Sequence, residues 1–134
     1  HSVTVVDLLK YEKSSLDHLY INTNFNFING DARNPKLMKK LVKKHEFLIP
    51  LAGLVGAPLC EKNKKDAIST NFNSIKLTLK LMTKQNKLIY LTTNSGYGIG
   101  EKGKYCTEES ELRPISSYGK QKVELEKIYL DKNE

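Results

Sequence analysis

The apolar residues of this chain form short runs that alternate between two periodicities. Four runs are rich in β-branched and aromatic residues, as buried strands are, and runs with helical spacing lie between them. The predicted strands are VTVVDLL (3–9), NFNFING (24–30), EFLIPLAG (46–53) and KLIYLTT (87–93). The predicted helices are PKLMKKLVKKH (35–45), KDAISTNFNSIKLTLKLMTKQ (65–85) and SSYGKQKVELEKIYL (116–130). This alternation predicts an α/β fold with a parallel sheet covered on both faces.

The length of 134 residues fits one domain, and we find no boundary that would mark a second domain. No apolar run is long enough to span a membrane, and no secretory signal is present. Cys60 and Cys106 lie far apart without metal-ligand spacing, which favours free thiols over a disulfide and predicts no metal site. We therefore expect a cytoplasmic protein that does not contact a membrane.

The net charge of +7 raises the possibility of a nucleic-acid partner. The excess is almost all lysine, since Arg33 and Arg113 are the only arginines, and the lysines are spread along the chain. The aromatic and arginine interleaving of a single-strand binder is missing. The charge thus indicates solvated helix faces, and we expect no nucleic-acid partner.

Polar and small residues follow each predicted strand. Asp7 ends the first, Gly30 and Asp31 end the second, 51–53 end the third, and 92–95 (TTNS) end the fourth. Because ligands of open parallel sheets bind beyond the carboxyl ends of the strands, these positions predict a binding edge.

Residues 98–103, GIGEKG, match the G-x-G-x-x-G pattern of a dinucleotide-binding loop. The segment that follows is polar and aperiodic up to Pro114, so no helix can begin inside the motif. No strand-terminal acid follows at the expected distance of about 20 residues. We therefore interpret the motif as a loop rather than a phosphate site.

Asp7 has the position of the acid that binds the cofactor ribose, and its glycine loop should lie about 20 residues upstream. Only six residues precede Asp7. We expect the upstream coding sequence to encode a short strand and a glycine-rich turn.

Tyr118 and Lys122 lie four residues apart on the last predicted helix and share a face. A lysine ammonium beside a phenol lowers the pKa of the tyrosine, which then serves as a general base. Thr93 or Ser95 at the end of the fourth strand could orient the substrate oxygen. A Y-x-x-x-K spacing is weak evidence alone, because a surface pair gives the same pattern.

Six stretches in order carry a family resemblance: VTVVDLL, FINGDARN, LIPLAGLVG, STNFNSIKLTL, LIYLTTNSGYG and TEESELRPISSYGKQK. Because of these six stretches, the chain resembles the NAD-dependent nucleotide-sugar epimerase/dehydratase family of the extended short-chain dehydrogenases. The implied fold is a partial Rossmann-like, doubly wound parallel sheet, in which 1–134 supply strands 2 to 5 without strand 1 or the substrate domain. The implied cofactor is NAD rather than NADP, and the implied full-length protein is a homodimer.

The resemblance also implies roles for individual residues. The implied catalytic set is Tyr118, Lys122 and Thr93. The implied cofactor contacts are Asp7, Asp31, Ala32, Leu51, Ala52, Gly53, Asn71 and Lys122. The implied substrate contacts are Thr93, Asn94, Ser95 and Tyr118.

Dehydratases of this family carry an Asp-Glu pair where this chain has Asn94 and Ser95. The resemblance therefore implies an epimerase or a related oxidoreductase acting on a nucleotide sugar, and disfavours a dehydratase. A non-catalytic Rossmann-like module that binds a nucleotide or a partner is the first alternative, and a sugar-nucleotide dehydratase or reductase of the same superfamily is the second.

A sheet with strand order 3-2-1-4-5 and no strand 1 divides into two blocks. We expect 3–7 to pair in parallel with 25–28, and 47–51 with 88–92, without a correct bridge between the blocks. We also expect the 134 residues alone to be unstable or self-associating, to bind NAD poorly and to be inactive.

Overall fold

A computed structural model of the protein describes residues 1–100 and 103–131. The strands are β1 (Val3–Asp7), β2 (Phe25–Asn29), β3 (Phe47–Leu48) and β4 (Lys87–Leu88). The α-helices are α1 (Pro35–Val42), α2 (Ala57–Lys62), α3 (Lys64–Ala67), α4 (Ser74–Leu81) and α5 (Ser117–Asp131). A π-helical segment, Ile68–Asn73, joins α3 to α4, and short 3-10 turns lie at Asp17–Leu19 and Asn94–Gly96. The predicted α/β class with parallel strands is confirmed.

The described strands form two separate two-stranded parallel sheets. β1 pairs with β2 from Val3↔Phe25 to Asp7↔Asn29, and β3 pairs with β4 through Phe47↔Lys87 and Leu48↔Leu88. The expected division into two blocks is confirmed, since no ladder joins β1 to β3 among these residues.

Several predicted bounds were wrong. β3 and β4 are two residues long instead of eight and seven, because extended chain beyond Leu48 and Leu88 makes no further ladder. The predicted helix over 65–85 is helical from Lys64 to Leu81 but contains the π-helical segment. Helix α2 was not predicted at all.

The main core packs helices α4 and α5 against one face of the β3–β4 sheet. Its fully buried members are Ile75, Leu79, Leu88 and Leu125, and Leu48 and Tyr90 pack against them. The alternate residues of these strands and of the chain that follows them are exposed: Phe47, Ile49, Leu51, Ile89 and Leu91. This sheet is thus covered on one face only by the described residues.

Helix α1 begins as its sequence predicts. The Asn34 side chain accepts hydrogen bonds from the backbone N–H groups of Lys36 and Leu37, and Pro35 occupies the first helical position. Gly30 lies where β2 leaves the sheet, and a Cβ there would lie 2.7 Å from Leu37 Cδ2, so a larger residue would displace the Leu37 side chain.

Two side chains tie the loops around β3 to the rest of the fold. His45 Nδ1 donates to Leu41 O and Nε2 contacts the Thr4 hydroxyl, both at 2.9 Å, which links the start of β3 to β1. Asn86 Nδ2 donates to Val42 O at 2.9 Å and to His45 O at 2.8 Å, and its Oδ1 accepts from Thr83. Asn86 therefore joins the α1–β3 and α4–β4 connections.

The G-x-G-x-x-G segment lies in a loop where it is described, as expected, while residues 101 and 102 fall outside the described residues. Gly98 has φ +68°, and a Cβ there would collide with Arg113 O. Glycine at this position is thus explained by a close approach of two loops.

Cys60 is buried and Cys106 is exposed, and both are free thiols as expected. Across 1–100 and 103–131, none of the helices combines the length and the apolar character that crossing a bilayer requires.

Replacing Asn86 with Ala should lower the free energy of unfolding by about 2–6 kcal/mol, because two hydrogen bonds between loops and two hydrogen bonds from Thr83 are lost at about 0.5–1.5 kcal/mol each. Urea denaturation measures this loss. Asn63→Ala is the matched control, since the exposed Asn63 side chain makes one local bond, to Leu59 O. Equal losses in the two variants would contradict the assigned role of Asn86.

Candidate cofactor and catalytic site

A cavity of about 80 Å³ lies at the carboxyl ends of β1 and β2, beside the chain that leaves β3. It brings together five of the predicted cofactor contacts: Asp7, Asp31, Ala32, Ala52 and Gly53. Leu51 is exposed and is not among the lining residues. A whole ligand site usually has about 300–1,000 Å³, so these residues form only part of one.

Asp7 is oriented by the turn that follows it. Its Oδ1 accepts a hydrogen bond of 2.6 Å from the backbone N–H of Leu9, which has φ +49°. This left-handed conformation is unfavourable for leucine by about 1 kcal/mol, and the hydrogen bond offsets the cost. The carboxylate is therefore held at the edge of the cavity.

Asp31 is held by Arg33. The Arg33 Nη2 lies 2.6 Å from Asp31 Oδ2, and its Nε donates to both carboxylate oxygens. This hydrogen bonding keeps the pKa of Asp31 below its usual range. Arg33 Nη1 also donates to Asp66 Oδ1 at 2.8 Å, so the ion pairs connect the end of β2 to α3. Arg33 was not predicted as a site residue, although Asp31 lies only two residues away; its second partner, Asp66, is distant in sequence.

Asn71 lies behind the cavity wall and is 4% exposed. Its Oδ1 accepts from Leu54 N at 2.7 Å, and its Nδ2 donates to Leu54 O at 2.8 Å. A Cβ at Gly53 would lie 2.9 Å from Asn71 Oδ1. Asn71 thus fixes the backbone after β3; a direct contact with a cofactor stays a prediction.

Three further polar side chains line the cavity and were not predicted: Lys10, Tyr11 and Thr70. The Thr70 Oγ1 is buried and has no hydrogen-bond partner among the described residues. No sequence pattern marked it, since it is an ordinary position in a predicted helix.

Tyr118 and Gly119 open helix α5 beside the turn at Asn94–Gly96. A Cβ at Gly119 would lie 2.8 Å from Ser95 O, so glycine lets the helix approach this turn closely. Thr93 caps the turn, and its Oγ1 accepts from Ser95 N at 3.3 Å. The predicted substrate contacts Thr93, Asn94 and Ser95 are thereby gathered beside the start of α5.

Lys122 extends from α5 over the end of β4. Its Nζ donates to Leu91 O at 2.9 Å and lies 6.0 Å from the centroid of the Tyr118 ring. Burial lowers the pKa of the Lys122 ammonium.

The expectation that Lys122 lowers the pKa of Tyr118 was wrong for this structure. Burial raises the pKa of the Tyr118 phenol, and the Cys60 thiol adds to the increase. The Lys122 Nζ, 6.0 Å from the centroid of the Tyr118 ring, does not offset this increase.

Leu54 connects the two groups of residues. It lines the cavity, and it also belongs to a buried cluster with Cys60 and Ala67 against which Tyr118 packs. This buried cluster therefore connects Tyr118 with the cavity wall.

The model of the NAD dependent epimerase/dehydratase family matches residues 1–134. The chain belongs to this family.

A similar curated protein is the bifunctional UDP-glucose 4-epimerase and UDP-xylose 4-epimerase 1 of Pisum sativum. It is 30% identical over 115 residues, which cover 83% of this chain and 33% of the pea protein. The chain thus spans about a third of the length of this relative.

Two solved structures share the fold. The UDP-Glc/GlcNAc 4-epimerase of Campylobacter jejuni superposes with TM-score 0.84 and 23% identity, over 98% of this chain and 41% of that one. The UDP-glucuronic acid 4-epimerase of Bacillus cereus, in complex with NAD, superposes with TM-score 0.80 and 24% identity, over 96% of this chain and 43% of that one. The fold is therefore Rossmann-like.

Replacing Asn71 with Leu should lower the free energy of unfolding by about 2–4 kcal/mol, because it leaves the buried N–H of Leu54 unpaired and leaves the Leu54 C=O with only the Cys60 thiol as a donor. Chemical denaturation followed by circular dichroism measures the change. Thr70→Val is the control: it removes a hydroxyl without a partner among the described residues and should be nearly neutral. An Asn71→Leu variant as stable as Thr70→Val would show that the Leu54 hydrogen bonds do not hold the site together.

Proposed function

We propose that this chain supplies the cofactor edge and the catalytic side chains of an NAD-dependent epimerase that acts on a nucleotide sugar. The observation that carries the proposal is the buried cluster of Leu54, Cys60 and Ala67: its member Leu54 lines the cavity beside Asp7 and Asp31, and Tyr118 packs against the cluster. Family membership and the named activity of the pea relative support it.

The lining residues fit part of NAD. Asp7 offers carboxylate oxygens, the acceptors that ribose hydroxyls need, and Thr70 offers a buried hydroxyl without a partner among the described residues. Ala52 and Gly53 leave room for a ring close to the backbone. These residues would hold the adenosine side, while Lys122 would hold the nicotinamide ribose. A negative charge at Asp7 favours NAD over NADP, whose 2′-phosphate it repels.

When bound, NAD would accept a hydride from the sugar carbon that is oxidised and, in an epimerase, return it to the other face of that carbon. Tyr118 Oη would take the proton of the sugar hydroxyl at the carbon that is oxidised, acting as general base. Thr93 Oγ1 would donate a hydrogen bond to the same oxygen and orient it. The Lys122 ammonium, 6.0 Å from the centroid of the Tyr118 ring, would hold the nicotinamide ribose beside Tyr118.

Asn94 and Ser95 would contact the substrate without acting as acids. Neither can hold and release a proton near neutral pH as a carboxyl group does, so loss of water from the sugar lacks its acid–base pair. Epimerisation or simple redox is thus favoured over dehydration. The proposal includes a cytoplasmic homodimer, which the resemblance implies for the full-length protein.

In the full-length protein, Tyr118→Phe should reduce turnover of UDP-glucose by at least about 100-fold, the usual scale for loss of a general base. Cofactor binding should be nearly unchanged, because the hydroxyl is removed and the ring stays. Coupled detection of the epimerised sugar measures turnover, and NAD titration measures binding. Tyr105→Phe is the matched control, since Tyr105 is 95% exposed.

Lys122→Met should reduce both turnover and NAD affinity, since one ammonium is assigned to both. Wild-type turnover in either the Tyr118 or the Lys122 variant would reject the catalytic assignment. NAD binding by the wild-type protein without turnover of any UDP- or GDP-sugar would instead favour the non-catalytic module.

A further inference from the structure

Tyr90 contacts Lys122 at both ends of the lysine. The Tyr90 Oη donates to the backbone carbonyl of Lys122 at 3.1 Å. The Lys122 Nζ lies 4.8 Å from the centroid of the Tyr90 ring and donates to the carbonyl of the next residue, Leu91, at 2.9 Å. One side chain just beyond β4 therefore meets the main chain and the ammonium of the same residue on α5.

We propose that Tyr90 is a positioning residue for Lys122: its hydroxyl fixes α5 against β4 at Lys122, and its ring face holds the ammonium at the carboxyl edge of β4. This inference deepens the proposed function, on which it rests for the importance of Lys122. No pattern in the sequence singled out Tyr90, which was read as part of a buried strand.

The charged form of Lys122 needs such a partner. An ammonium that loses water on burial is destabilised, and the negative face of an aromatic ring returns part of the lost interaction. The titratable groups around it are Tyr90 beyond β4, Tyr118 and Glu126 on α5, and Cys60 on α2 beside Tyr118. Glu126 accepts a hydrogen bond from Thr92 at 2.7 Å, which draws that carboxylate to the strand end.

A simple packing role is the alternative, because Tyr90 also packs against the main core. The chain offers a matched control in Tyr129. Its ring packs against the same core, and its Oη donates to Leu88 O at 3.0 Å, also joining α5 to β4. Tyr129 lies seven residues beyond Lys122.

The test measures how fast an amine-acylating reagent modifies Lys122 as a function of pH, with the modified peptide quantified by mass spectrometry. Only the neutral amine reacts. Tyr90→Leu removes the ring, so the midpoint, the pH at which half of the Lys122 amine is neutral, should move down. At a fixed pH below this midpoint the reaction should then be about two- to fivefold faster. Tyr90→Phe keeps the ring and should keep the wild-type midpoint while amide exchange of α5 near Lys122 becomes faster. Tyr129→Phe should leave the Lys122 profile unchanged.

A proton NMR measurement on the wild-type protein covers the case in which Tyr90→Leu does not fold. The ε-methylene protons of Lys122 should be shifted upfield by the Tyr90 ring, and Tyr118→Leu should leave most of that shift. An unshifted methylene overturns the proposal. The proposal is also overturned if the acylation rate of Lys122 depends on pH in Tyr90→Leu as it does in the wild-type protein. A difference confined to the rate at high pH overturns it too, because that rate reports only how accessible the amine is. Neither the acylation rate nor the NMR shift requires turnover. A protein without turnover would therefore contradict the proposed function, while the role of Tyr90 could still be tested.

Discussion

The pair of hydrogen bonds between Asn71 and the backbone of Leu54 is the interaction on which the candidate site depends. The segment after β3 has no ladder partner among the described residues, so its N–H and C=O groups need another source of hydrogen bonds. Asn71 provides a donor and an acceptor in one side chain, from a π-helical segment that places it against Leu54. The position of Leu54 in turn sets both the cavity wall and the surface against which Tyr118 packs.

Around this clamp the fold is assembled from two short sheets joined by side chains. No strand ladder crosses between β1 and β3 in the described residues, so the hydrogen bond between His45 and Thr4 provides a link between the two sheets. The two hydrogen bonds that Asn86 donates to Val42 O and His45 O join the α1–β3 and α4–β4 connections. Helix α5 then brings Tyr118 and Lys122 to the end of β4. Glycine at 119 makes this approach possible, since any larger residue would meet Ser95 O.

Much of this was predictable because it depends on local pattern. The alternation of strands and helices predicted the α/β class, and the residues after the strands include five of the twelve residues that line the cavity. Tertiary geometry determined what was not predictable. An apolar run over 46–53 does not show that only Phe47 and Leu48 find a partner strand. The i, i+4 spacing of Tyr118 and Lys122 places them on one face, but it does not reveal that Leu91 O captures the ammonium. Likewise, Asn71 and Arg33 act through partners distant in sequence.

The central claim is that the cavity at the strand ends is the adenosine side of an NAD site. Calorimetric titration of the full-length protein with NAD and NADP tests it most directly, with Asp7→Asn and the distant Asp17→Asn as variants. The account predicts that NAD binds at least about tenfold more tightly than NADP, a difference of about 1.4 kcal/mol. It also predicts that Asp7→Asn narrows this preference while Asp17→Asn leaves it unchanged. Equal affinity for the two cofactors, or the same preference in both variants, would contradict the account.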